Sequence, residues 1–404
     1  MLNLEKIRQD FPLFQKLTNG KPPVYFDNAC MSLKPLPVIK AITDYYYEYP
    51  ACGGRSGHKL AETVTKKVEQ ARKTIAEFIG AKHTEEIIFT RNTTEGINLA
   101  AHSLKLNSGD IIIGTDKEHN SNLIPWQILS KKIGAIYKVV ESRPDNTFNL
   151  DKFASIMNGQ VKLVAMAQTS NLDGVSLPVK EIIEIAHQYG ALVLLDAAQS
   201  APHKKIDVAE MGVDLLAFSG HKMLGPTGTG VLYGKKHLLE NLEPFLTGGE
   251  TVEYSTYNDH KLLPIPEKFE AGLQNYAGII GLGEAADYLK KIGYDNIRDQ
   301  EYKLNKYLTE EILKIPRAKI IGPADPALRS GIVSFYVEGI DSHQIALLLD
   351  ETANIMVRSG QHCVHSWFNA KNIKTSARAS LYFYNTMSEA EIFVAGLNKI
   401  MKIL

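Results

Sequence analysis

Short apolar runs alternate with helical patterns along most of the chain. The runs indicate buried strands, and they cover residues 87–89, 111–113, 136–140, 162–167, 192–195, 215–218 and 231–233. One helical pattern has apolar residues spaced four and three apart and ends at Gly80; its members are Val64, Val68, Ala71, Ile75 and Phe78. Strands that alternate with helices form βαβ units on a largely parallel sheet. The pattern therefore predicts an α/β fold.

The pattern changes near residue 286 and predicts a second, smaller unit of the α+β class. Its expected elements, with the helix that leads into it, cover residues 279–289, 297–315, 332–337, 342–349 and 377–384. A final helix is expected to begin with a capping box formed by Ser388 and Glu391, with an inner face of Phe393, Leu397 and Ile400. We therefore predict a large domain over residues 20–285 and a small C-terminal domain over 286–404, with the segment 1–19 packing on the small domain.

Charge and cysteine content exclude several classes of function. The 404 residues include 45 Lys and Arg against 45 Asp and Glu, so the formal net charge is zero. Bulk charge therefore gives no support for binding nucleic acid or a membrane surface. The N-terminus lacks the apolar core of a signal peptide, and no run approaches the ~20 apolar residues of a membrane span. Three cysteines are too few for a disulfide framework, and we predict a cytoplasmic protein.

Polar side chains follow two of the predicted buried strands near the middle of the chain. Asp196 and Gln199 follow one strand, and Ser219, His221 and Lys222 follow the next. In open parallel sheets, ligands bind beyond the carboxyl ends of the strands. A lone lysine there is more often a solvated surface residue, but the whole set suits pyridoxal phosphate. That cofactor binds an amine through its aldehyde and needs a carboxylate at its ring nitrogen and donors at its phosphate.

These residues also carry a resemblance to a known family. The segment D-A-A-Q at 196–199, followed by S-G-H-K-x-x-G-P-x-G-x-G at 219–230, resembles the class V aminotransferases, which are fold-type I pyridoxal phosphate enzymes. The resemblance implies a homodimer, a large domain with a mainly parallel seven-stranded sheet and a small α+β C-terminal domain. It also implies that Lys222 binds the aldehyde, that Asp196 keeps the ring nitrogen protonated and that Gln199 bonds the phenolic oxygen.

Three further segments at predicted strand ends add candidate ligands for the cofactor. Thr93 and Thr94 open a helix, whose free N–H groups suit a phosphate, although threonines there are mostly plain N-caps. The resemblance places Thr94 at the phosphate together with Ser219 and His221. In the segment E-H-x-S-N at 118–122 it makes His119 the residue that stacks on the ring and carries a proton. It assigns Asn171 to the substrate carboxylate and a cofactor oxygen.

A cysteine in the C-terminal part of the chain narrows the reaction. Cys363 lies in a polar, glycine-containing loop with two histidines and an arginine close by. Positive neighbours favour the thiolate, which is the form that attacks sulfur. Zinc binding by His362, Cys363 and His365 is an alternative, but a closed site needs a fourth ligand. The pattern R-x-G-x-H-C at 358–363, followed by R-A-S-x-x-x-Y-N at 378–385, resembles the group II, SUF-type cysteine desulfurases within class V.

That resemblance implies a function and a set of substrate-binding residues. Arg378 would hold the substrate carboxylate through paired hydrogen bonds, and Arg358 lies in the same motif as Cys363. The resemblance puts Arg55 at the active-site mouth, whereas its glycine-rich segment, residues 53–58, would otherwise be a plain interhelical turn. Lys222 would remove the Cα proton of L-cysteine. The products would be L-alanine and a persulfide on Cys363, whose sulfur passes to a protein acceptor such as an iron–sulfur scaffold.

Three hypotheses about function remain open at this point. The first is a cysteine desulfurase, with L-selenocysteine as an alternative substrate. The second is another class V reaction, such as transamination, epimerisation or C–C lysis, which would not need Cys363. The third is a noncatalytic scaffold for a sulfur-transfer partner, against which Lys222, Asp196 and His119 argue. Cys30 and Cys52 are either further sulfur acceptors or, as for most cysteines outside an identified site, packed side chains.

Overall fold

The computed structural model describes residues 2–18, 20–54 and 56–404. Its strands are β1 Val24–Tyr25, β2 Ile87–Thr90, β3 Ile111–Thr115, β4 Ile136–Val140, β5 Val161–Ala167, β6 Leu192–Asp196, β7 Leu215–Ser219, β8 Gly230–Gly234, β9 Val252–Ser255, β10 His260–Leu262, β11 Ala318–Ile321, β12 Ile332–Val337, β13 Ile355–Met356, β14 Arg358–Gly360 and β15 Ser376–Ser380. Its helices are α1 Leu4–Gln9, α2 Leu36–Glu48, α3 Lys59–Ile79, α4 Thr93–Ser103, α5 Ile124–Ile133, α6 Leu150–Ile156, α7 Val179–Gln188, α8 Val208–Met211, α9 Lys236–Asn241, α10 Tyr276–Ile292, α11 Tyr294–Ile312, α12 Ser342–Ala353, α13 His365–Lys371 and α14 Met387–Ile400.

A seven-stranded sheet forms the centre of the larger part of the molecule. Its strand order is β2-β8-β7-β6-β5-β3-β4. Strand β8 runs antiparallel to both of its neighbours, and the other pairings are parallel. Strand β7 is buried along its whole length, as expected for a parallel sheet covered on both faces. The predicted α/β fold with a mainly parallel seven-stranded sheet is confirmed.

Helices cover both faces of this sheet and bury two apolar clusters against it. The amphipathic pattern of α3 is confirmed, because Val64, Ala71 and Ile75 are buried along one face. The helix ends at Gly80, whose positive φ of 69° is the left-handed conformation that glycine adopts most readily. Gly230 opens β8 beside the start of α4, where an added Cβ would approach the Asn92 Cα to within 2.6 Å. This close approach brings the N-terminus of α4 to the edge of the sheet.

A smaller antiparallel sheet, in the order β11-β12-β15-β14, lies in the C-terminal part of the chain. Its apolar face packs with residues of α11, α12 and α14 in a separate cluster. This arrangement matches the predicted α+β unit. A two-stranded parallel pair joins β1, near the N-terminus, to β13. No helix in the described ranges is both long enough and apolar enough to cross a bilayer.

Two predicted element boundaries in this part of the chain were wrong. The strand expected over 377–384 ends at Ser380, because the Tyr382 N–H donates to Asn385 Oδ1 (2.9 Å) in a turn. The aromatic side chains that follow Ser380 pack in the core of the larger part instead of pairing as a strand. The capping box of α14 is formed by Thr386 and Glu389, two residues before the expected pair.

Candidate active site

The carboxyl ends of β5, β6 and β7 open into a cleft of about 220 Å³. The predicted site residues that line it are Thr93, Thr94, His119, Asn171, Asp196, Gln199, Ser219, His221, Lys222, Arg358, Cys363 and Arg378. Arg55, the remaining predicted site residue, lies outside the described residues. The cleft therefore gathers residues from the large sheet and from the C-terminal part of the chain, and the segments that contribute them are far apart in sequence.

An amine and a carboxylate share the inner part of the cleft. Strand β6 ends at Asp196, and β7 leads into a 3-10 turn, Gly220–Lys222, which carries the lysine. Burial lowers the pKa of Lys222, and the negative charge of Asp196 partly opposes that shift. Burial likewise raises the pKa of Asp196, against the effect of Lys222. A lowered pKa makes the amine of Lys222 a better nucleophile and base near neutral pH.

The imidazole of His119 lies on the loop that follows β3. Its Nδ1 accepts a hydrogen bond from the Ser121 backbone N–H at 3.1 Å, so the ring proton of the neutral form is on Nε2. Burial lowers the pKa of His119 to about 3, and the positive charges of Lys222 and Arg378 add to the shift. His119 is therefore neutral at physiological pH, with a defined tautomer and one N–H to donate.

A buried carboxylate fixes the backbone around His119. Glu118 accepts hydrogen bonds from the Thr115 hydroxyl at 2.6 Å, from the Asn122 amide at 2.7 Å and from the Ala167 backbone N–H at 3.0 Å. Burial raises the pKa of Glu118 to about 7 in spite of these donors. These bonds tie the loop that carries His119 to the end of β5.

Hydroxyl groups and backbone N–H groups collect at the N-terminus of α4. The Thr93 N–H donates to Ser219 Oγ at 2.8 Å, and the two hydroxyl oxygens are 2.6 Å apart. The hydroxyl oxygens of Thr94 and Ser121 are 2.7 Å apart. Burial, followed by the charge of Lys222, lowers the pKa of His221 to about 4. Together with the positive end of the helix dipole, these donors suit a phosphate group.

Ser121 was not among the predicted ligands, although it lies in the segment E-H-x-S-N. The residue of that segment to which the sequence pattern pointed was His119. The hydrogen bond between Ser121 and Thr94 joins the segment after β3 to the start of α4, 27 residues away in sequence.

Gln199 presents a polar group that is only partly used. Its amide nitrogen donates to the Ala29 carbonyl at 2.7 Å, which leaves the second amide hydrogen for another acceptor. Its Oε1 is buried and has no hydrogen-bond partner among the described residues. Buried polar atoms are nearly always satisfied in folded proteins. Gln199 therefore points to a polar ligand in the cleft.

Two arginines stand at the other end of the cleft. Arg378 is 2% exposed, and its Nη1 donates to the Asn171 carbonyl at 2.9 Å. Its Nη2 is 3.6 Å from Asp27 Oδ1, while its Nε is buried and has no hydrogen-bond partner among the described residues. Burial raises the pKa of Asp27, and Arg378 and Arg358 oppose that shift. Arg378 therefore keeps donor capacity that suits a carboxylate.

Cys363 is half-buried on a loop whose backbone is held on both sides. Its carbonyl accepts from the Asn120 N–H at 2.8 Å, and the carbonyl of the preceding residue, His362, accepts from the Asn171 amide at 2.7 Å. Both His362 and Cys363 have positive φ, 49° and 59°. Two successive residues other than glycine in this region are uncommon, and such conformations cluster at functional sites. The loop presents the thiol to the cleft and not to a core.

The zinc alternative finds no support in this geometry. His362 is buried with its Nε2 engaged by Ser376, and burial lowers its pKa to about 2. Within the part of the chain that the structure describes, no three His, Cys, Asp or Glu side chains are arranged to hold a metal ion.

A second thiol, that of Cys30, also lines the cleft. Arg358 Nη1 donates to Cys30 Sγ at 3.1 Å. The packed environment favoured from the sequence is therefore wrong for Cys30. Cys52 is exposed. The contact of Cys30 with Arg358 spans 328 residues of sequence, so the local pattern around Cys30 carried no signal of it.

The residues of the cleft fit pyridoxal phosphate. Lys222 offers an amine to the aldehyde, Asp196 a carboxylate to the ring nitrogen and Gln199 an unused amide hydrogen to the phenolic oxygen. The start of α4 offers donors to the phosphate. The fit rests on the second amide hydrogen that Gln199 keeps beside its bond to Ala29, and on side chains in the cleft that match each polar group of the cofactor.

Comparison with known proteins agrees with the fold and the cleft. Residues 24–393 match the family model described as Aminotransferase class-V. A probable cysteine desulfurase of Halalkalibacterium halodurans is 43% identical over 98% of both chains. A probable cysteine desulfurase of Synechocystis sp. is 41% identical over 97% of this chain and 94% of the relative.

Solved structures give the same result. The structure of a cysteine desulfurase from Thermococcus onnurineus has a TM-score of 0.95 at 40% identity and covers 100% of this chain and 99% of its own. A cysteine desulfurase from Escherichia coli has a TM-score of 0.92 at 31% identity, with both chains fully covered. The chain belongs to the class V aminotransferase family.

Proposed function

We propose that the chain is a pyridoxal phosphate-dependent cysteine desulfurase of the group II, SUF type. It removes sulfur from L-cysteine and yields L-alanine and a persulfide on Cys363. The observation that carries this function is that Lys222, Arg378 and Cys363 line one cleft. Relatives and solved structures named cysteine desulfurases, at 31% to 43% identity over nearly the whole chain, support it.

Binding of the amino acid substrate falls to the arginine end of the cleft. The guanidinium of Arg378, with its unpartnered Nε, holds the substrate carboxylate. Arg358 and Asn171 line the same end of the cleft and complete this subsite. Arg55, outside the described residues, is proposed to act at the mouth. We propose that the substrate side chain then lies within reach of Cys363, which lines the same cleft.

Proton transfer is assigned to Lys222 and His119, and sulfur transfer to Cys363. Bound pyridoxal phosphate supplies an electron sink for the charge that develops at Cα. Lys222, whose pKa burial lowers, removes the Cα proton. Asp196 keeps the ring nitrogen protonated, and His119, whose neutral ring donates a hydrogen bond through Nε2–H, stacks on the cofactor ring and relays a proton. The Cys363 thiolate attacks the substrate sulfur, so that an S–S bond forms as the C–S bond breaks, and alanine is the other product.

The cellular location, oligomeric state, sulfur acceptor and domain organisation of the enzyme are proposed on the same basis. The enzyme is a cytoplasmic homodimer and passes its sulfur to a protein acceptor such as an iron–sulfur scaffold. The chain divides into a large domain over 20–285 and a small domain over 286–404. Contacts of the N-terminal segment support its packing on the small domain, because Arg8 Nη2 lies 2.8 Å from Glu389 Oε1.

The test is a reaction of the purified holoenzyme with L-cysteine. We expect alanine by amino acid analysis and a Cys363 peptide heavier by one sulfur in mass spectrometry without reductant. Cys363→Ala should form no alanine but should keep the visible absorbance of the bound cofactor, whereas Cys52→Ala, which changes an exposed thiol, should behave as the wild type. Undiminished alanine formation by Cys363→Ala would refute the persulfide role. A keto acid or an epimer as product would identify another class V reaction.

A further inference from the structure

We propose that Cys30 is a second sulfur-carrying thiol of the cleft and accepts the sulfur that Cys363 has taken from the substrate. The inference rests on the proposed desulfurase function and adds a step to it. Cys363 receives the sulfur, and Cys30 then holds it, so that one subunit stores two sulfur atoms before any protein acceptor binds.

The first observation is that the two thiols share one small cleft. Cys30 and Cys363 both line the space of about 220 Å³ that also contains Lys222. Both thiols are half-buried, and neither is in a disulfide. Two nucleophilic sulfur atoms facing the same confined space meet the first requirement for direct sulfur exchange.

The second observation is the arginine contact on Cys30. Arg358 Nη1 donates to Cys30 Sγ at 3.1 Å, and Arg358 begins strand β14, which leads into the loop that carries Cys363 five residues later. A guanidinium N–H stabilises negative charge on the sulfur that it contacts. Asp27 Oδ2 lies 4.0 Å from Arg358 Nη1 and partly balances its charge. The sulfur of Cys30 thus has a donor of the kind that an attacking thiolate or a persulfide anion needs.

The third observation is that the backbone holds Cys30 in place. Within the turn at residues 27–31, the Cys30 N–H donates to the Asp27 carbonyl at 3.1 Å. The Ala29 N–H donates to Ser380 Oγ at 2.9 Å, and the Ala29 carbonyl accepts from Gln199 at 2.7 Å. These bonds on either side of Ala29 fix the turn against both parts of the molecule. Cys30 therefore has a fixed position in the wall of the cleft that Cys363 also lines.

An independent observation indicates that this end of the cleft receives a ligand. The Nε of Arg378 is buried and has no hydrogen-bond partner among the described residues. Arg378 as a whole is only 2% exposed. The carboxylate of a bound amino acid satisfies this donor. Such a substrate lies among Arg378, Arg358 and the two thiols, all of which line the cleft.

The transfer is a thiol–persulfide exchange and needs no external oxidant. The Cys30 sulfur attacks the outer sulfur of the Cys363 persulfide, a new S–S bond forms on Cys30, and the old S–S bond breaks. Cys363 leaves as the thiolate and takes up the proton that Cys30 gives up. One S–S bond replaces another, so the overall oxidation state does not change. Cys363 is then free to accept sulfur from a second substrate molecule.

The experiment follows sulfur in the holoenzyme with L-cysteine and without reductant or protein acceptor. Samples are quenched at intervals with an alkylating agent that labels thiols and persulfides, and the peptides are mapped by mass spectrometry. We expect added sulfur on Cys363 first and on Cys30 later. Two exchanging thiols should give a first burst of about two alanines per subunit in the wild type.

Substitutions separate the two thiols in this experiment. Cys30→Ala and Cys30→Ser should reduce the burst to about one alanine per subunit, because one thiol remains for exchange. The serine variant keeps a polar atom for Arg358 and so controls for loss of that contact. Cys363→Ala should leave Cys30 without added sulfur. Cys52→Ala, with its thiol exposed, is the matched control and should give the wild-type burst.

Two results would overturn this relay, the transfer of sulfur from Cys363 to Cys30, while leaving the desulfurase function intact. One is alanine and sulfur on Cys363 with an unmodified Cys30 at all times. The other is a Cys30–Cys363 disulfide with release of hydrosulfide, which would mean attack on the inner sulfur. Absence of both alanine and added sulfur on Cys363 would overturn the desulfurase function, and the relay with it.

Discussion

The two arginines of the cleft differ in what surrounds them. Arg378 is buried on β15 and bonded to the Asn171 carbonyl, whereas the side chain of Arg358 is 43% exposed. Burial lowers the pKa of Arg378, and Asp27 opposes that shift. A guanidinium in this position retains the two-pronged geometry that a carboxylate needs, which a lysine ammonium cannot supply. We therefore expect Arg378 to be the main determinant of affinity for an amino acid.

Replacement of Arg378 tests this assignment. Arg378→Lys keeps the charge but loses the paired hydrogen bonds, so KM for L-cysteine should rise ~10–100-fold, with a smaller change in kcat. Steady-state kinetics of alanine formation give both constants. Arg298→Lys on α11, whose parent side chain is 66% exposed, is the matched control and should leave KM unchanged. An unchanged KM in Arg378→Lys would remove the residue from substrate binding.

Buried histidines make the stability of the protein depend on pH. Burial lowers the pKa of His362 to about 2, below the ~6.5 of an unfolded chain. Between these values the unfolded state binds a proton that the folded state does not, so stability falls as pH drops below ~6.5. Glu118 acts in the opposite direction, because its pKa is raised to about 7 and its folded form holds a proton that the unfolded form releases.

A comparison of the wild type with His362→Gln isolates the contribution of His362 to the pH dependence of stability. Because Glu118 is present in both proteins, its effect cancels. The wild type should lose stability relative to the variant by about 1.4 kcal/mol per pH unit as pH falls from ~6 to ~5. Urea unfolding of the cofactor-free proteins at several pH values measures the difference. Identical slopes would mean that His362 is protonated in the folded state.

Membership of the cleft could be predicted from sequence for residues that directly follow buried strands. Asp196, Ser219 and Lys222 are examples, since parallel strands bring their carboxyl ends to one edge. Ser121 and Cys30 were not predicted as ligands, because their contacts, with the start of α4 and with β14, join segments that are adjacent only in the folded chain.

At the level of elements, the start of α14 shows which of two equivalent capping-box patterns the folded chain uses. Both Thr386 with Glu389 and Ser388 with Glu391 match the capping-box pattern. The structure uses the first pair, in which the Glu389 N–H donates to Thr386 Oγ1 at 3.1 Å. Glu389 also binds Arg8 at 2.8 Å. A local sequence pattern cannot show this ion pair between distant segments. The pair explains why the capping box lies two residues, or about half a turn, before the one expected from the sequence.

The choice of cap is directly testable. Thr386→Ala should lower the free energy of unfolding by ~1 kcal/mol, because it leaves an N–H at the start of α14 without its acceptor. Ser388→Ala is the matched control: the residue is exposed, and its replacement should change stability by less than ~0.5 kcal/mol. Thermal or urea unfolding distinguishes the two. Equal losses would show that both side chains cap the helix.

At the scale of the whole molecule, one tyrosine hydroxyl links distant parts of the chain. Tyr384 is fully buried, its hydroxyl oxygen accepts from the Leu33 N–H at 2.9 Å, and its hydroxyl donates to Asn28 Oδ1. Asn28 in turn donates to the Ser380 carbonyl at 2.7 Å. These bonds hold the turn that carries Cys30 against the C-terminal part of the molecule.

Loss of this hydroxyl should destabilise the whole molecule. Tyr384→Phe leaves the buried Asn28 Oδ1 and the half-buried Leu33 N–H without their partner, which should cost ~1–3 kcal/mol. Tyr47→Phe provides the control, because Tyr47 is 82% exposed and its replacement should have little effect. Urea unfolding measures both. Wild-type stability in Tyr384→Phe would show that water replaces the hydroxyl.

The cleft combines Ala29 and Cys30 with residues between Arg358 and Arg378, so two of its walls are made at opposite stages of synthesis. At ~5–20 residues per second, a ribosome needs on the order of 20–80 s for the 404 residues. For most of that time the nascent polypeptide has one wall of the cleft without the other. The substrate-binding end of the cleft, with Arg358, Cys363 and Arg378, is therefore completed only near the end of translation, whereas the residues that fit the cofactor, from Thr93 to Lys222, are made well before it.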